Sequence, residues 1–515
     1  MQNQNASDKQ ARKLRTMTTE PVRRLIIRLA IPTMISMMIT SIYNMADTFF
    51  VGQISDEEPA ALTEQAASPD ADATPEMEAA LRAEQADVPP DADSEDPADA
   101  PAEEEAVASA TSATAAVGVA FPLMAIIQAF GFMFGHGSGN FISRALGSRD
   151  TGDAEKMAAT GFFMALIAGT LLMSMGLIFL DPLLHALGAR DQILPYARDY
   201  IRLILIGCPW MTASLVLNNQ LRFQGNALFA MIGIGTGGLI NMGLDPLLIF
   251  GLGMGVSGAA LATIISQFIS FCLLWIGARK SDNLRIKARN FTPTPHFLKE
   301  IFKGGAPSLF RQGIGSIATA CMNNAAVVYG AAAVAAMSVV SRIMMFANSL
   351  VIGFGQGFQP VCGFNYGSRR FDRVREGYFF CVKYSSFFLL GAAILGEIFA
   401  PRLIALFRND PKVIEIGALA LRLQCITLPA FGYIMISNMM MQTTAHTFQA
   451  STTALARQGL FFLPLVLVLP LFLKLLGIQI AQPIADAMTL GLTIAMQMQV
   501  FRKMRELERE TAEGQ

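Results

Sequence analysis

The chain is poor in the charged residues that soluble proteins carry on their surfaces. Only 15% of its 515 residues are charged, whereas 53% are hydrophobic. A water-soluble protein of this size has no need for so much apolar sequence, so a soluble globular class is excluded. The apolar runs do not alternate with polar residues, and this excludes a transmembrane β-barrel as well.

Cysteine and histidine are too scattered to form a disulfide framework or a zinc site. The six cysteines lie in or beside apolar runs without paired spacing. The four histidines fall one to a region, at His136, His185, His296 and His446. The sequence also shows no nucleophile–base pair at membrane depth. We therefore expect a protein that is not an enzyme.

Long apolar runs are abundant, and each of about 20 residues can cross a bilayer core of about 30 Å. Twelve such runs predict an all-α polytopic membrane protein. The first is too long for a cleavable signal peptide and is interpreted as a span. We number the runs as spans 1 to 12; they lie near residues 25–53, 113–142, 157–180, 197–222, 227–250, 256–278, 299–328, 332–360, 376–400, 413–441, 448–473 and 477–501.

Basic residues predict the orientation of the spans. They cluster at both termini and in the segments 279–303 and 369–375. Twelve spans place all four regions on one side, which the positive-inside rule makes cytoplasmic. We therefore expect a multi-pass protein of the cell inner (cytoplasmic) membrane with cytoplasmic N- and C-termini.

The two halves of the sequence repeat. A shift of 220 residues aligns Gly137 with Gly357, Gly147 with Gly367, Arg149 with Arg369 and Asn218 with Asn438. Six spans per unit keep both copies in one orientation, so their pseudo-two-fold axis runs along the membrane normal. The repeat predicts two six-helix lobes, with these bounds: a tail at 1–24, the N-lobe at 25–278, a cytoplasmic linker at 279–298, the C-lobe at 299–501 and a tail at 502–515.

Span 1 aligns with span 7 only at a shift of 275, which places Pro32 on Pro307 and Ser41 on Ser316. The difference of 55 residues indicates an insertion in the N-lobe. Residues 55–109 contain no aromatic residue and eighteen acidic residues against Arg82 alone, a formal charge of −17. Such a segment cannot bury enough apolar surface to fold. We expect a disordered acidic loop outside the cytoplasm.

A carboxylate lies inside the apolar run LINMGLDPLLIF, at Asp245. Intramembrane charges are costly and usually serve function. Asn241 lies four residues earlier on the same helical face, and Pro246 removes a backbone donor, which frees the carbonyl of Met242. These oxygens suit a proton or a small hard cation. The alternative is a polar residue that only joins two helices.

Other polar residues are predicted at membrane depth. Asp47 in span 1 and Thr263 in span 6 fall at the depth of Asp245, toward the outer face, so the three either share one site or have separate structural roles. Asn218, Asn219 and Gln220 either line a cavity or bond between helices. Three arginines are too deep to reach water fully and need partners that the sequence does not name: Arg311, Arg342 and Arg457.

These residues resemble the MATE (multidrug and toxic compound extrusion) transporters over nearly the whole chain except the insertion. The stretches that carry the resemblance are IPTMISMMITSIYNMADTFFVGQ at 31–53, GHGSGNFISRALGSRD at 135–150 and NMGLDPLLIFGLGMGVSGAALAT at 241–263. The match is to the bacterial and archaeal branch with its cation site in the N-lobe. That branch has an Asp on helix 1, an Asn-x-x-x-Asp pair on helix 5 and a Thr on helix 6. The matching residues are Asp47, Asn241, Asp245 and Thr263.

The resemblance implies an antiporter that exports amphipathic, often cationic drugs by alternating access, driven by H⁺ or Na⁺, and so contributes to multidrug efflux and antibiotic resistance. It implies small organic substrates, contact with the lipid bilayer, no cofactor besides the coupling ion, no nucleic-acid partner and a functional monomer. Na⁺ would bind at the four matching residues. The expected substrate cavity contains Tyr43, Asn44, Asn218, Asn219 and Arg311. The alternative is a flippase or exporter of a lipid-linked or endogenous metabolite.

Overall fold

Helices make up nearly all of the part of the chain that the computed structural model describes, which is residues 2–66, 100–189, 193–280 and 284–513. Within these ranges the description leaves out the side chains of residues 2–10, 44, 45, 47–49, 51–66, 100–116, 280 and 512. All twelve predicted spans are present as helices.

The N-lobe spans 1 to 6 are Val22–Ala66, Ala100–Gly147, Thr151–Ile178, Leu194–Phe223, Ala227–Pro246 and Gly255–Lys280. The C-lobe spans 7 to 12 are Pro295–Val327, Ala331–Gly367, Phe371–Phe407, Pro411–Thr443, Thr447–Leu473 and Leu475–Glu513. Span 11 contains a π-helical segment, Ala456–Phe462, between two α-helical parts. Two short helices that were not predicted as elements are Gln2–Thr19 and Leu180–Ala186.

Span 7 is less apolar than the other spans. Eleven helices of the described residues are long and apolar enough to cross a membrane, and the helix of span 7 is not among them. At 33 residues it is long enough. A stripe of polar residues at helical spacing on one of its faces contributes to this, formed by Gln312, Ser316, Thr319 and Asn323. We call this face the polar stripe.

The acidic insertion lies only partly within the described residues. The helix of span 1 continues to Ala66, and the helix of span 2 starts at Ala100, so both ends of the predicted loop extend the spans as helix. Residues 67–99 lie outside the described residues. For these, the expected absence of stable structure stays a prediction.

Equivalent hydrogen bonds confirm the internal repeat. The Asn218 side-chain amide donates to the carbonyl of Ala230 at 2.9 Å, and that of Asn438 donates to Ala450 at 2.7 Å. Both pairs are related by the shift of 220. The turns after spans 2 and 8 match as well, because Arg149 and Arg369 both adopt left-handed backbone conformations, with φ of 67° and 56°.

Both termini lie at one end of the helical bundle, which we call the terminal end. The Asn365 side chain donates to the carbonyl of Met17, and Arg375 pairs with Glu508 near the C-terminus. The acidic insertion leaves spans 1 and 2 at the opposite end, which we call the insertion end. Spans 1 and 2 therefore connect the two ends of the N-lobe.

The two lobes share a hydrophobic core only at the terminal end. That core contains Ile26 of span 1, Ile142 of span 2, Ile301 of span 7 and Phe364 of span 8. Toward the insertion end, the described residues form two separate cores, one within each lobe. The lobes are thus closed against each other at the terminal end and separated by a cleft toward the insertion end.

Glycines allow the close approach of the lobes at the terminal end. A Cβ atom on Gly147 of span 2 would collide with the backbone of Phe364, and one on Gly367 of span 8 would collide with the backbone of Arg144. The two contacts are related by the repeat. A side chain at either position would push the lobes apart, so the sealed interface depends on both glycines.

Candidate functional site

Asp245 and Asn241 form a buried polar pair inside the N-lobe. The Asp245 side chain is fully buried, at 0% exposure, and the side-chain amide of Asn241 donates to its Oδ1 at 3.0 Å. The spacing of four residues puts both on one face of span 5, as the sequence predicts. A carboxylate withdrawn from water is costly unless partners compensate its charge, and carboxylate and amide oxygens are ligands suited to a small hard cation.

The backbone of span 5 is irregular directly after this pair. The α-helix ends at Pro246, and Leu247–Gly251 continues as a single π-helical turn. The amide of Leu252 donates to the carbonyl of Leu247 at 3.0 Å, five residues back. Proline cannot donate the helical hydrogen bond, so the regular pattern fails here. Such π-turns occur often at functional sites.

Thr263 on span 6 lies level with the pair. Spans 5 and 6 run antiparallel, and their register is fixed where Ser270 donates to the carbonyl of Gly233 at 2.9 Å. Seven residues toward the insertion end from Ser270, the buried Thr263 therefore faces the stretch of span 5 between residues 240 and 244. Thr263 thus comes level with Asn241, about one helical turn from Asp245, and its predicted share in one site with Asp245 stays a prediction.

Span 1 approaches span 5 along two glycines. A Cβ atom on Gly235 would touch Ile39 at 3.2 Å, and one on Gly238 would touch the ring of Tyr43 at 3.0 Å. The half-buried Tyr43 therefore contacts span 5 within the N-lobe. One helical turn further, the backbone of Asp47 comes level with Asn241. The side chains of Asp47 and Asn44 lie outside the described residues, so a shared cation site stays a prediction.

The amides at the end of span 4 bond between helices. Asn218 is buried and joins span 4 to span 5 through Ala230, and Gln220 donates to Ser138 of span 2 and to the carbonyl of Ala158 of span 3. Of the two interpretations that the sequence leaves open, the contacts support the structural one for these residues. The structure thus places Asn218 inside the N-lobe and not at the cleft.

Asn219 belongs to a cluster around a buried arginine that was not predicted. Arg222, at 2% exposure, donates to Asn219 Oδ1 at 2.6 Å and to Gln356 Oε1 at 2.5 Å, across the interface between the lobes. It also contacts His136 at 3.3 Å. The only available signal was an arginine near the end of an apolar run, and such arginines usually reach water instead.

Arg311 on span 7 lies near the interface between the lobes. The side chain is half-buried and donates to Asn438 Oδ1 at 3.4 Å. The next residue, Gln312, donates to Gln128 of span 2 at 3.2 Å, so this level of span 7 faces the other lobe. Of the expected cavity residues, Arg311 is the one that the described contacts bring to the cleft between the lobes.

The partner of Arg457 is Asp486 of span 12. Their Nε and Oδ1 atoms lie 2.7 Å apart, Gln482 donates to the same carboxylate at 2.8 Å, and the guanidinium lies over the ring of Phe431. Arg342 is exposed. Among the described residues, no group of three His, Cys, Asp or Glu side chains is arranged to hold a metal ion.

A sequence profile of the MatE family matches residues 108–247 and 307–468, more than half of the chain. The chain belongs to the MatE family. A related MatE protein is the multidrug export protein MepA of Staphylococcus haemolyticus, which is 27% identical over 365 residues that cover 70% of this chain and 80% of the relative.

Solved structures of MATE proteins share the fold. One, a MATE protein in complex with MaL6, superposes with a TM-score of 0.79 at 24% identity and covers 96% of this chain and 99% of that chain. Another, the outward-facing conformation of a multidrug resistance MATE family transporter, superposes with a TM-score of 0.78 at 24% identity. It covers 97% of this chain and 98% of that chain. The predicted all-α fold of twelve spans in two lobes is confirmed.

Proposed function

We propose that the protein is a cation-coupled antiporter that exports amphipathic organic compounds across the cell inner membrane. It is a transporter and not an enzyme, and it works as a monomer with H⁺ or Na⁺ as the coupling ion. The observation that carries the proposal is the fully buried Asp245 beside Asn241, at a break in the backbone of the N-lobe. The multidrug export activity in the name of its MepA relative supports the substrate class.

Span 1 links the proposed cation site to the interface between the lobes. Its outer half packs on span 5 through Tyr43 and Gly238. Its inner half packs on span 8 of the C-lobe, where the Thr33 hydroxyl donates to the carbonyl of Gly353 at 2.6 Å. Occupation of the site by an ion shifts the packing of span 1 and thereby biases the lobes. The ion can do this only through different affinities for the two states.

Alternating access requires the closed end to open. In the described state, the terminal end is held by Arg222 with Gln356 and by Arg144, which donates to the carbonyl of Thr443 at 2.9 Å. The opposite state breaks these bonds and brings the two walls of the cleft together. Because the basic terminal end is cytoplasmic in our proposal, the described state faces outward.

The proposal is tested with purified protein in liposomes, with Na⁺ and pH gradients imposed separately. An inward cation gradient should drive an amphipathic dye out of the cytoplasmic compartment against its own gradient. Collapse of that gradient by the matching ionophore should stop the export. Dye movement that ignores both gradients would show that the protein is not a cation-coupled exporter.

A second candidate is a flippase or exporter of a lipid-linked or endogenous metabolite. A diphosphate needs several cations to bind it, and the sequence alone suggested only Arg311 and Arg342. Arg222 adds a third, which favours this candidate. The same liposomes distinguish the two, since a flippase moves a labelled polyprenyl-linked phosphate between leaflets and leaves the free dye unmoved.

A further inference from the structure

The cleft between the lobes contains arginines at its floor. Arg311 lies beside the Gln312–Gln128 contact between the lobes, and Arg222 donates to Gln356 across the same interface. Arg222 uses its two terminal nitrogens for hydrogen bonds, whereas its buried Nε–H has no hydrogen-bond partner among the described residues. This cluster is therefore positively charged and incompletely bonded.

No carboxylate neutralises this charge within the described part of the chain. Arg222, Arg311 and Arg342 have no acidic side chain within 4.0 Å there, in contrast to Arg144, which pairs with Glu300, at the terminal end. For Arg222, which is buried, a guanidinium withdrawn from water without an acid is destabilising. Charges kept at such positions in a membrane protein usually serve a ligand or a pathway.

Arg342 extends the positive charge toward the insertion end. It precedes Gly353 by eleven residues, which is three helical turns, and Gly353 packs against Met34 of span 1. Arg342 therefore lies on the face of span 8 that is turned toward the N-lobe, at the level where the lobes are apart. Phe346, one turn below it on the same face, is 38% exposed and offers an apolar surface.

We propose that the cleft binds an amphipathic organic anion, a hydrophobic compound with a carboxylate, which Arg311 binds at the floor. A guanidinium presents paired N–H groups that match a carboxylate. Arg342 attracts the anion at a higher level, and Phe346 and the polar stripe contact its body. This inference rests on the proposed export function and narrows its substrate class, since a purely cationic compound is repelled by the same arginines.

The test uses two dyes with one hydrophobic body, rhodamine B, which has a free carboxylate, and its ethyl ester, which is only cationic. Binding to the purified full-length protein is measured by fluorescence polarisation. We expect the carboxylate dye to bind about tenfold more tightly than the ester. Arg311→Gln should weaken binding of the carboxylate dye about tenfold or more, because it removes one charge-assisted bond. Binding of the ester should stay equal or become tighter, because the same change removes a repelling charge. Arg311→Lys should retain part of the preference.

Arg342→Gln keeps the test decisive even if Arg311→Gln fails to fold, because Arg342 is exposed. This change should weaken binding of the carboxylate dye about threefold, and by less at high salt. Arg402→Gln is the matched control, because Arg402 is an exposed arginine over Phe399, remote from the cleft face of span 8. Equal binding of both dyes by the unmodified protein, or no effect of either cleft variant, would overturn the inference.

Transport in liposomes separates this inference from the export function. If the gradient drives export of the ester but not of the carboxylate dye, the proposed export function stands and the anion site is overturned. Failure to move either dye, together with the expected binding preference, would contradict the export function but support the site. Displacement of the carboxylate dye by a long-chain fatty acid in the membrane would identify a lipid as the source of the carboxylate, and displacement only by a water-soluble aromatic carboxylate would identify a free compound.

Discussion

Arg457 and Asp486 form an ion pair inside the C-lobe, with 2.7 Å between Nε and Oδ1. Shifted by 220 residues, their positions are Gly237 and Ser266 of the N-lobe, where a Cβ on Gly237 would lie 3.2 Å from the carbonyl oxygen of Ser266. One helix contact thus holds small residues in one lobe and a charged pair in the other. The guanidinium already neutralises the C-lobe acid, which supports an N-lobe location for coupling.

Asp245→Asn should abolish coupling and leave the fold intact. Asparagine keeps the shape of the side chain and can still accept the bond from Asn241, while removal of a buried charge relieves its desolvation. Gradient-driven export in liposomes should fall to near background. Dye binding should decrease far less than export, because the expected cation site and the substrate cavity overlap only partly. Asp47→Asn is expected to behave in the same way.

Asp181→Asn is the matched control for Asp245→Asn. Asp181 is exposed and pairs with Arg198 outside the buried pair, and exposed ion pairs contribute little. Export should stay within about twofold of the unmodified protein. Export by the Asp245→Asn protein against the dye gradient at the unmodified rate would place the coupling site elsewhere.

Thr263→Ala should reduce coupled export only a few-fold, because it removes one neutral oxygen and no charge. The measurement is the cation concentration for half-maximal export. A Na⁺-driven protein should need several times more Na⁺, whereas a H⁺-driven protein should barely change. Thr263→Ser retains the hydroxyl and should restore the unmodified value. Loss of function in both variants would point to packing and not to ion contact.

Asp486→Asn should destabilise the protein by about 2–3 kcal/mol, because it leaves the half-buried Arg457 without its charge partner. Thermal unfolding in detergent should shift down by several degrees. The double change Arg457→Met and Asp486→Leu should recover much of that loss, since an apolar pair needs no desolvation of charge. Additive losses in the double variant would show that the two residues do not stabilise each other.

Joining Ile54 to Ala110 should leave export largely intact. The equivalent connection between spans 7 and 8 needs only the short turn around Tyr329 and Gly330. Removal of the strong negative charge should slow the approach of cations at low salt and have little effect at high salt. A shortened protein that inserts into the membrane but exports at no salt concentration would show that the insertion has a direct role in transport.

Residues 55–109 should be cleaved by protease from outside the cytoplasm. Cleavage of these residues only from the cytoplasmic face would contradict the predicted topology.

The sequence by itself determined the features that depend on local pattern. Hydropathy located the twelve spans because each needs only its own length of apolar residues. The spacing of Asn241 and Asp245 predicted that they share a helical face, because residues four apart on a helix are neighbours whatever surrounds them. The shift of 220 residues predicted two lobes and the equivalence of positions 218 and 438.

Only the tertiary structure decided which helices supply partners for the long polar side chains. Arg222 meets Gln356, and Arg457 meets Asp486, across 134 and 29 residues of sequence. A deep arginine can turn toward any neighbouring helix, and its partner follows from helix register and rotation, which hydropathy does not specify. The closure of the lobes at the terminal end was likewise beyond the sequence, because one chain must adopt both closed and open arrangements of the same residues.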